Sequence, residues 1–460
     1  MLKGCIKMYD TIAAIATPIG TGGLSVIRVS GGDAFAICDK IFKSPKGKLL
    51  KEAKTHTAHF GGIYDGDEMI DEVLCTVFVA PKSFTSENTV EISCHGGILV
   101  TQRVLDCVIK SGARLAAPGE FTKRAFLNGR LDMAQAEAVI DVINATSEKA
   151  ASLALSHLQG GLSGLIGELR EKITDIIAEI DAASDFPEED FEKITFEEIV
   201  ARLTDASATI ERLIKTAERG KLISSGIDTV IAGKPNVGKS SLLNAILLSE
   251  RAIVTDIPGT TRDVIEEKVS LGSVSLNIFD TAGIRETEDT IEHIGIEKSK
   301  DYIQSAELVL FLVDAVTGIT DEDIVLADLV ENKKTILVIN KTDEGGNKEI
   351  SFSGKNFERV YISAKTGDGI AELLEKIEDM FMLGEISKSD FPIITKATHK
   401  QSLIRAKEFI DSAKMALGVM PDDMISIDLR SACEALGEIT GISVSQEVVD
   451  KIFSKFCLGK

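Results

Sequence analysis

The stretch Gly233-Lys234-Pro235-Asn236-Val237-Gly238-Lys239-Ser240 decides the fold of the chain around it. It fits G-x-x-x-x-G-K-S, a phosphate-binding loop, between a predicted buried strand and a predicted helix. The glycines let backbone N–H groups approach phosphate oxygens, and the helix N-terminus adds its positive dipole end. In this arrangement Lys239 reaches the β- and γ-phosphates and the Ser240 hydroxyl binds Mg²⁺. A chance glycine-rich turn would not explain both flanking elements.

Three further motifs follow the phosphate loop, each at the end of a predicted strand: Asp280-Thr281-Ala282-Gly283, Asn340-Lys341-Thr342-Asp343 and Ser363-Ala364-Lys365. A carboxylate at Asp280 can hold the metal through water. Asp343 can accept hydrogen bonds from N1 and the 2-amino group of guanine, a pattern that adenine lacks. Motifs in this order at strand ends are typical of a doubly wound nucleotide-binding sheet. Together they predict a GTP-binding domain.

Length and composition limit the class of protein. The 460 residues predict about two to four domains. No apolar run is long enough to predict a membrane span. Residues 1–7 lack the apolar segment of a secretory signal, and Met8 is an alternative start. The seven cysteines form no C-x-x-C pair, which indicates reduced thiols of a cytoplasmic protein and not a disulfide framework or a zinc site.

The net charge of −21 excludes nucleic-acid binding by bulk attraction. Any RNA contact is therefore expected to be local or made through a partner.

The pattern along the chain predicts four segments. Residues 1–127 carry short β runs with glycine turns and predict an α+β domain, and residues 128–220 are helical. Residues 221–384 form the nucleotide domain, and residues 385–460 return to helices. One helical region is thus interrupted by the α/β domain, which indicates insertion at a surface loop. Both chain crossings would then transmit the nucleotide state into the helices.

Some signals are weak. Gly20-Thr21-Gly22-Gly23 lacks the G-x-G-x-x-G spacing, so a tight turn is favoured over a phosphate site. His95, before two glycines, is either catalytic or a residue of a helix start or turn, and the second is favoured. At the chain end, Phe456 indicates helix packing, whereas physical grounds alone predict a fraying end at Cys457.

Over nearly the whole chain after Met8, the sequence resembles the bacterial tRNA-modification GTPase family MnmE, also called TrmE. The resemblance rests on the GTPase motifs and on several stretches elsewhere. These include Ala16-Thr17-Pro18, Cys94-His95-Gly96-Gly97, Pro118-Gly119-Glu120-Phe121 and the terminal Phe456-Cys457-Leu458-Gly459-Lys460.

The resemblance implies a folate-binding N-terminal domain that also forms a homodimer. It implies an FAD-dependent partner, MnmG, in a heterotetramer. Together they would add an aminomethyl or carboxymethylaminomethyl group to carbon 5 of the wobble uridine of certain tRNAs. The one-carbon unit would come from a tetrahydrofolate derivative, 5-formyl- or methylene-tetrahydrofolate.

By position in the matched motifs, the folate would contact Arg28, Glu91, Arg130 and Lys460. Relatives can carry Lys where this chain has Arg130, which keeps the charge but changes the geometry. Cys457 resembles the C-terminal cysteine of the family, and its catalytic role stays open.

The resemblance also implies how GTP would be hydrolysed. Ras-type GTPases place a water-orienting Gln just after D-T-A-G, but this chain has Ile284 there. The resemblance assigns that role to Glu292, acting through a water after G-domain dimerisation. It places K⁺ beside the phosphates instead of an arginine finger, so Arg285 is given less weight. The K⁺ ligands would be Asn236, Thr255, Ile257 and Thr260, and Mg²⁺ would be held by Ser240 and Thr261. The full predicted GTP-binding set is Asn236, Val237, Gly238, Lys239, Ser240, Ser241, Thr255, Asp256, Ile257, Pro258, Gly259, Thr260, Thr261, Asp280, Thr281, Ala282, Gly283, Asn340, Lys341, Asp343, Ser363, Ala364 and Lys365.

Three other functions are compatible with parts of the sequence. A ribosome-assembly GTPase can carry the same phosphate loop, but it is expected to have a basic RNA-binding appendage. A non-catalytic switch would only position a flavin partner on tRNA. A folate enzyme with a fused regulator would act on a small molecule without tRNA. The substrate tRNAs and the amine donor, glycine or ammonium, stay open.

Overall fold

The computed structural model of the chain describes residues 10–185, 195–249, 253–254, 267–271, 274–280, 302–345, 350–381, 391–457 and 459–460. The chain divides into two compact units. The first comprises Met1–Ile140, Leu158–Glu171 and Cys433–Lys460, and the second comprises Asp141–His157 and Lys172–Ala432.

The α-helices of the described residues, numbered in chain order, have the following bounds. They are α1 (Ala34–Ile41), α2 (Ile98–Lys110), α3 (Glu120–Leu127), α4 (Met133–Asn144), α5 (Glu148–Leu158), α6 (Gly161–Asp185), α7 (Phe196–Ser225), α8 (Lys239–Leu247), α9 (Asp321–Val330), α10 (Ile370–Met380), α11 (Ala397–Ala416), α12 (Asp422–Thr440) and α13 (Gln446–Phe453). Within the described ranges, no helix combines the length and the apolar character that crossing a membrane requires.

A seven-stranded sheet forms the main layer of the first unit. Its strands are β1 (Ile12–Ile15), β2 (Leu24–Ser30), β3 (Phe42–Lys43), β4 (Thr57–Asp65), β5 (Glu68–Phe78), β6 (Thr89–His95) and β7 (Arg114–Leu115). They lie in the order β3-β4-β5-β6-β2-β1-β7, and only β1 and β7 pair in parallel. On β6, Val90, Ile92 and Cys94 are buried in a core shared with α1 and α2. Because side chains alternate along a strand, Glu91 lies on the opposite face.

The end of the chain belongs to the core of the first unit. Met133 and Ala136 of α4 pack with Val449 and Phe453 of α13 and with Phe456 beyond it. The rings of Phe453 and Phe456 lie 5.1 Å apart. This packing brings the last residues back to the N-terminal sheet domain.

A second seven-stranded sheet lies in the second unit. Its strands are β8 (Ile227–Ala232), β9 (Ile253–Val254), β10 (Glu267–Ser270), β11 (Ser275–Asp280), β12 (Leu308–Asp314), β13 (Thr335–Asn340) and β14 (Glu358–Tyr361), in the order β14-β13-β12-β8-β11-β10-β9. The five strands from β14 to β11 are parallel, whereas β10 and β9 join antiparallel. All seven residues of β12 are buried, as expected for a central strand covered on both faces.

The order of these strands positions the site. The chain builds β11 on one side of β8 and β12 on the other, so a crevice opens at the carboxyl ends of the parallel strands. The phosphate loop, Asp280, the motif that begins at Asn340 and Ser363-Ala364-Lys365 follow or end strands at this edge. The predicted fold class is confirmed: an α+β sheet domain, helical segments and an α/β domain with a phosphate loop.

The chain enters and leaves the second sheet beside one helix. Helix α7 runs directly into β8, and the returning segment passes the same helix at residues 391–396. There the Ile394 N–H donates to Thr216 Oγ1 at 3.0 Å, and the Ile393 carbonyl accepts from His157 Nε2 at 2.9 Å. A Cβ atom at Gly220 would overlap the Ile394 carbonyl oxygen. Glycine at this position is what allows the two segments to touch.

Candidate functional site

The phosphate loop is a turn between β8 and α8 with two unusual backbone conformations. Asn236 has φ +61° and Gly238 has φ +103°. A Cβ atom at Gly238 would overlap the side-chain nitrogen of Asn340, so the second glycine of the motif is required for space as well as for φ. The N-terminus of α8 follows at once, which leaves its first N–H groups available to an anion.

Lys239 stabilises the loop from within. Its Nζ donates to the Gly233 carbonyl at 2.8 Å and to the Lys234 carbonyl at 3.1 Å. The ammonium group therefore lies over the turn whose N–H groups would surround a phosphate. Ser240 follows it on α8, but the other predicted Mg²⁺ ligand, Thr261, lies outside the described residues.

Asn340 connects the phosphate loop to the motif that would recognise a base. It ends β13 and is almost fully buried. Its Nδ2 donates to the Val237 carbonyl at 2.9 Å, and its Oδ1 accepts from the Ala364 N–H at 3.0 Å. One side chain thus joins three of the sequence motifs.

Asp343 has one oxygen held in place by a neighbouring hydroxyl. Ser363 Oγ donates to Asp343 Oδ1 at 2.7 Å. Lys341 Nζ donates to the Asn236 carbonyl at 3.1 Å and lies 2.7 Å from Asp314 Oδ2. Burial opposes ionisation of Asp314, but hydrogen bonds from Lys341 and from two backbone N–H groups outweigh it, so the pKa of Asp314 lies below its usual range.

A cleft of about 390 Å³ lies between α8 and the motifs at the ends of β13 and β14. Its walls include residues that the sequence singled out in three motifs: Gly238, Ser241, Asn340, Lys341, Asp343 and Lys365. The sequence did not predict four residues that line the same cleft, Asn244, Ala245, Leu248 and Glu344. Asn244 and Ala245 lie about one turn beyond Ser241 on α8, and Leu248 is the C-cap of that helix. Glu344 directly follows Asp343, so proximity to the motifs was the available signal.

Several predicted residues lie outside the described part of the chain. They are Thr255, Asp256, Ile257, Pro258, Gly259, Thr260, Thr261, Thr281, Ala282, Gly283 and Glu292. The backbone of Asp280 ends β11 and pairs with Ile231 of β8, beside the phosphate loop. Within the described ranges, no group of three or more His, Cys, Asp and Glu side chains could hold a metal ion.

A second candidate site lies on the N-terminal sheet, around Arg28. Arg28 and Glu91 are directly opposite each other on β2 and β6. Arg28 Nε donates to Glu91 Oε1 at 2.9 Å, and Nη2 lies 2.8 Å from the same oxygen. Its Nη1 donates to the Gly459 carbonyl at 3.4 Å, which ties the chain end to this face.

Phe84 joins the two predicted arginines, and sequence reasoning missed it. The Arg28 guanidinium lies 5.4 Å from the centre of the Phe84 ring, and that of Arg130 lies 5.0 Å from it. Arg130 also donates to the Phe84 carbonyl at 2.7 Å. A loop phenylalanine carries no local signal of such a role. Burial lowers the pKa of Arg130 below its usual range.

The four predicted folate residues thus fall around one position. Burial is the largest effect that lowers the pKa of Lys460, and the positive charge of Arg28 adds to it. The arginine, lysine and glutamate side chains around this position offer donors and an acceptor to a ligand that carries both carboxylates and ring N–H groups.

The described residues of the chain end are packed against the first unit, so the expectation of a fraying end at Cys457 was wrong. The Cys457 carbonyl accepts from the Gly119 N–H at 3.3 Å, while the Cys457 residue is exposed. Gly459 has φ +87° and approaches Ile15 so closely that a Cβ atom would overlap its carbonyl. Buried Phe456 anchors this segment because its packing outweighs the entropy of a free terminus.

His95 ends β6, and its side chain pairs with Asp71, a contact that no sequence motif predicts. Its Nδ1 lies 2.7 Å from Asp71 Oδ1, and its backbone N–H donates to Asp71 Oδ2 at 2.8 Å. The hydrogen bond and the charge of Asp71 raise the pKa of His95.

Comparison with known proteins identifies the family. Residues 133–457 match the MnmE helical domain, and residues 11–130 match the GTP-binding protein TrmE N-terminus. The chain is 49% identical to the tRNA modification GTPase MnmE of Moorella thermoacetica, with 98% of this chain and 99% of that protein covered. It is 45% identical to MnmE of Clostridioides difficile and 46% identical to that of Geobacillus thermodenitrificans, with the same coverage. Among solved structures, the G domain of the T. maritima FeoB iron transporter is 27% identical over 34% of this chain and 98% of its own, with a TM-score of 0.24. The full-length identity to these relatives, together with both domain matches, means that the chain belongs to the MnmE family of tRNA modification GTPases.

Proposed function

We propose that this protein hydrolyses GTP and couples the reaction to modification of the wobble uridine in tRNA. The observation that carries the proposal is the convergence of the phosphate loop, Asn340 and Asp343 on one cleft, in a chain 45–49% identical to MnmE proteins over nearly its full length.

In the proposed complex the phosphates lie at the N-terminus of α8, with Lys239 beside them and guanine against Asp343. The loop backbone and the helix dipole favour the negative charge there. Ser240 would hold Mg²⁺ together with Thr261, and the ion would neutralise charge that develops on the phosphate oxygens. Asp280 would bind the same ion through water.

We further propose that hydrolysis uses Glu292 and a potassium ion. Ile284 cannot orient a water, so Glu292 takes that role after two nucleotide domains dimerise. Asn236, Thr255, Ile257 and Thr260 offer oxygen atoms, which suit a hard monovalent cation. Equal hydrolysis rates in potassium chloride and sodium chloride, at matched ionic strength, would contradict this part of the proposal.

The N-terminal site is proposed to bind tetrahydrofolate as a one-carbon donor. Arg28, Arg130 and Lys460 suit the carboxylates of its glutamate moiety, and Glu91 suits ring N–H donors. The lowered pKa of Lys460 agrees with its position among cations in a partly buried site. The exposed Cys457 near this site is proposed to act in the modification, and Cys457→Ser tests it.

We propose the partners from the family. The protein would form a homodimer through residues 1–127 and a heterotetramer with the FAD-dependent MnmG in the cytoplasm. The proposed segment boundaries remain 1–127, 128–220, 221–384 and 385–460. Since no residue set in the sequence supplies redox chemistry, the flavin partner would carry that step.

The test measures GTP hydrolysis, folate binding and the modified nucleosides of cellular tRNA. We expect GTP hydrolysis by the native chain, and loss of the modified uridine from cellular tRNA when its gene is deleted, measured by nucleoside mass spectrometry. Calorimetry with 5-formyltetrahydrofolate should show binding that Arg28→Ala abolishes. Arg103→Ala is the matched control, because Arg103 forms a surface pair with Glu68 in the same domain.

Distinct outcomes separate the parts of the proposal. GTP hydrolysis with unchanged tRNA nucleosides would refute the tRNA function and favour another GTPase role. Failure of the native chain to bind folate would detach the N-terminal site from one-carbon chemistry.

A further inference from the structure

Lys234, the second residue of the phosphate loop, directs its ammonium group into a ring of oxygens. Its Nζ lies 3.3 Å from Thr317 Oγ1, 3.5 Å from the Gly318 carbonyl and 3.5 Å from Thr320 Oγ1. The fourth oxygen, Asp323 Oδ2, lies at 3.2 Å. The general motif allows any residue at position 234, so the motif itself assigns no role to this side chain.

Asp323 is a buried carboxylate that depends on this cation. Its side chain is fully buried, and that of Lys234 is 14% exposed. Oδ2 also accepts from the Thr320 N–H at 2.9 Å and from Thr320 Oγ1 at 2.8 Å. Within the described part of the chain, Oδ1 is buried without a hydrogen-bond partner. Because a buried charge is costly unless paired, loss of Lys234 would leave Asp323 uncompensated.

The segment that holds Lys234 also holds the base motif. Residues 314–323, which we name the brace, begin with Asp314, which pairs with Lys341 at 2.7 Å. Lys341 in turn donates to the Asn236 carbonyl of the phosphate loop. The brace therefore contacts the phosphate loop through Lys234 and the base motif through Lys341.

The backbone of Lys234 carries a second contact. Its carbonyl accepts from Lys239 Nζ at 3.1 Å, next to the Gly233 carbonyl, which accepts from the same ammonium at 2.8 Å. The position of residue 234 thus bears directly on the lysine that would contact the phosphates. Anchoring its side chain to Asp323 restrains both this carbonyl and the turn that continues to Asn236.

We propose that Lys234 is a positioning residue. Through Asp323 it holds the first half of the phosphate loop in the conformation that binds a diphosphate, and its own ammonium does not contact the nucleotide. The inference rests on the proposed function, because it concerns a GTP-binding loop. It predicts a loss confined to recognition of the β-phosphate, since the guanine contacts at Asp343 are made by other residues.

The experiment compares GDP with GMP, which lacks the β-phosphate. In the full chain, Lys234→Met should weaken GDP binding by about tenfold to a hundredfold, because small misplacements of a binding loop have effects of that order. GMP binding should stay the same, so the ratio of the GDP Kd to the GMP Kd rises by the same factor. Competition against a fluorescent GDP gives both constants. Lys234→Arg should restore the ratio, because a guanidinium also pairs with a buried carboxylate.

The control is the same lysine-to-methionine substitution at a position away from the phosphate loop. Lys355 is 12% exposed and pairs with Asp328 at 2.8 Å and Glu331 at 2.7 Å in the same domain. Lys355→Met should leave the GDP to GMP ratio unchanged. If Lys234→Met does not fold, the double variant Lys234→Met/Asp323→Asn removes both charges and should show the same rise in the ratio of the GDP Kd to the GMP Kd.

Each outcome distinguishes the two claims. A native chain that does not bind GDP would refute the proposed function. The positioning role would be overturned if the native chain binds GDP and a folded variant without the Lys234 amine keeps the same ratio of the GDP Kd to the GMP Kd. An equal loss for GDP and GMP would overturn it as well, because the defect would then not be specific to the phosphate loop.

Discussion

Asp343 accepts a hydrogen bond from Ser363 through Oδ1, and this contact orients the carboxylate toward the cleft. We expect Asp343→Asn to weaken GTP binding about tenfold or more, because an amide N–H₂ donor would face the N–H donors of guanine. Hydrogen bonds to charged groups contribute about 1.5–3 kcal/mol. Xanthosine triphosphate, which offers an oxygen at position 2, should lose less affinity or gain some.

Competition of GTP and of xanthosine triphosphate against a fluorescent guanine nucleotide measures the preference of each variant for one base over the other. Asp328→Asn, on the exposed side of α9, is the control and should change neither affinity. Unaltered selectivity in the Asp343 variant would remove this residue from base recognition.

The pair of Asp71 and His95 predicts a dependence on pH. Asp71 raises the pKa of His95 above its usual value near 6.5. A group with a raised folded pKa adds stability that is complete below the unfolded pKa and is lost as the pH rises through the folded pKa. The native chain should therefore lose this contribution on going from pH 5.5 to pH 8.5 (roughly one unit below and two above the usual histidine value).

Titration of the His95 ring signals by NMR checks the direction. Asp71→Asn should bring the pKa of His95 down toward its usual range, and the pH-dependent part of the unfolding free energy should shrink. Asp67→Asn, at an exposed turn position, serves as the comparison. A His95 pKa that does not move in the Asp71 variant would show that the pair is not formed in solution.

At the scale of elements, α7 and the returning segment depend on a helical glycine. Ala normally stabilises an exposed helix by about 0.5–1 kcal/mol relative to Gly. Gly220→Ala should do the opposite and destabilise the protein by about 1–3 kcal/mol, because its Cβ atom would overlap the Ile394 carbonyl oxygen.

Gly167→Ala on α6 is a matched change, since nothing lies within 4 Å of a Cβ atom built there. Urea unfolding of both variants should give shifts of opposite sign. Stabilisation by both substitutions would mean that the returning segment does not pack against α7 as described. The transmission of the nucleotide state through these crossings stays a prediction.

At the scale of the whole molecule, two units with separate sheet cores predict separate responses to ligands. Binding to the native state stabilises by about 2.7 kcal/mol at a ligand concentration of 100 Kd. In calorimetric scans we expect GDP to raise the transition of the second unit and 5-formyltetrahydrofolate to raise that of the first. Lys234→Met should reduce only the stabilisation by GDP, and Arg28→Ala should reduce only the stabilisation by 5-formyltetrahydrofolate. A single transition raised equally by either ligand would contradict separate responses.

The sequence by itself determined the α/β domain and most of the nucleotide cleft, because each motif is local. A phosphate loop needs glycines at a fixed spacing after one strand, and parallel strands bring consecutive motifs to one edge. The resemblance to a family, which the full-length identities bear out, extended this to the helical and N-terminal segments.

Only the tertiary structure decided which distant side chains meet. Lys234 and Asp323 are 89 positions apart, and Arg28 meets a carbonyl 431 positions away. Phe84 between two arginines and Asp71 beside His95 likewise come from pairing of loops and strands. Local periodicity reports which face of an element is buried, but the partner on that face depends on how the elements pack. Charged and aromatic contacts over such separations therefore leave no mark in the pattern of one sequence.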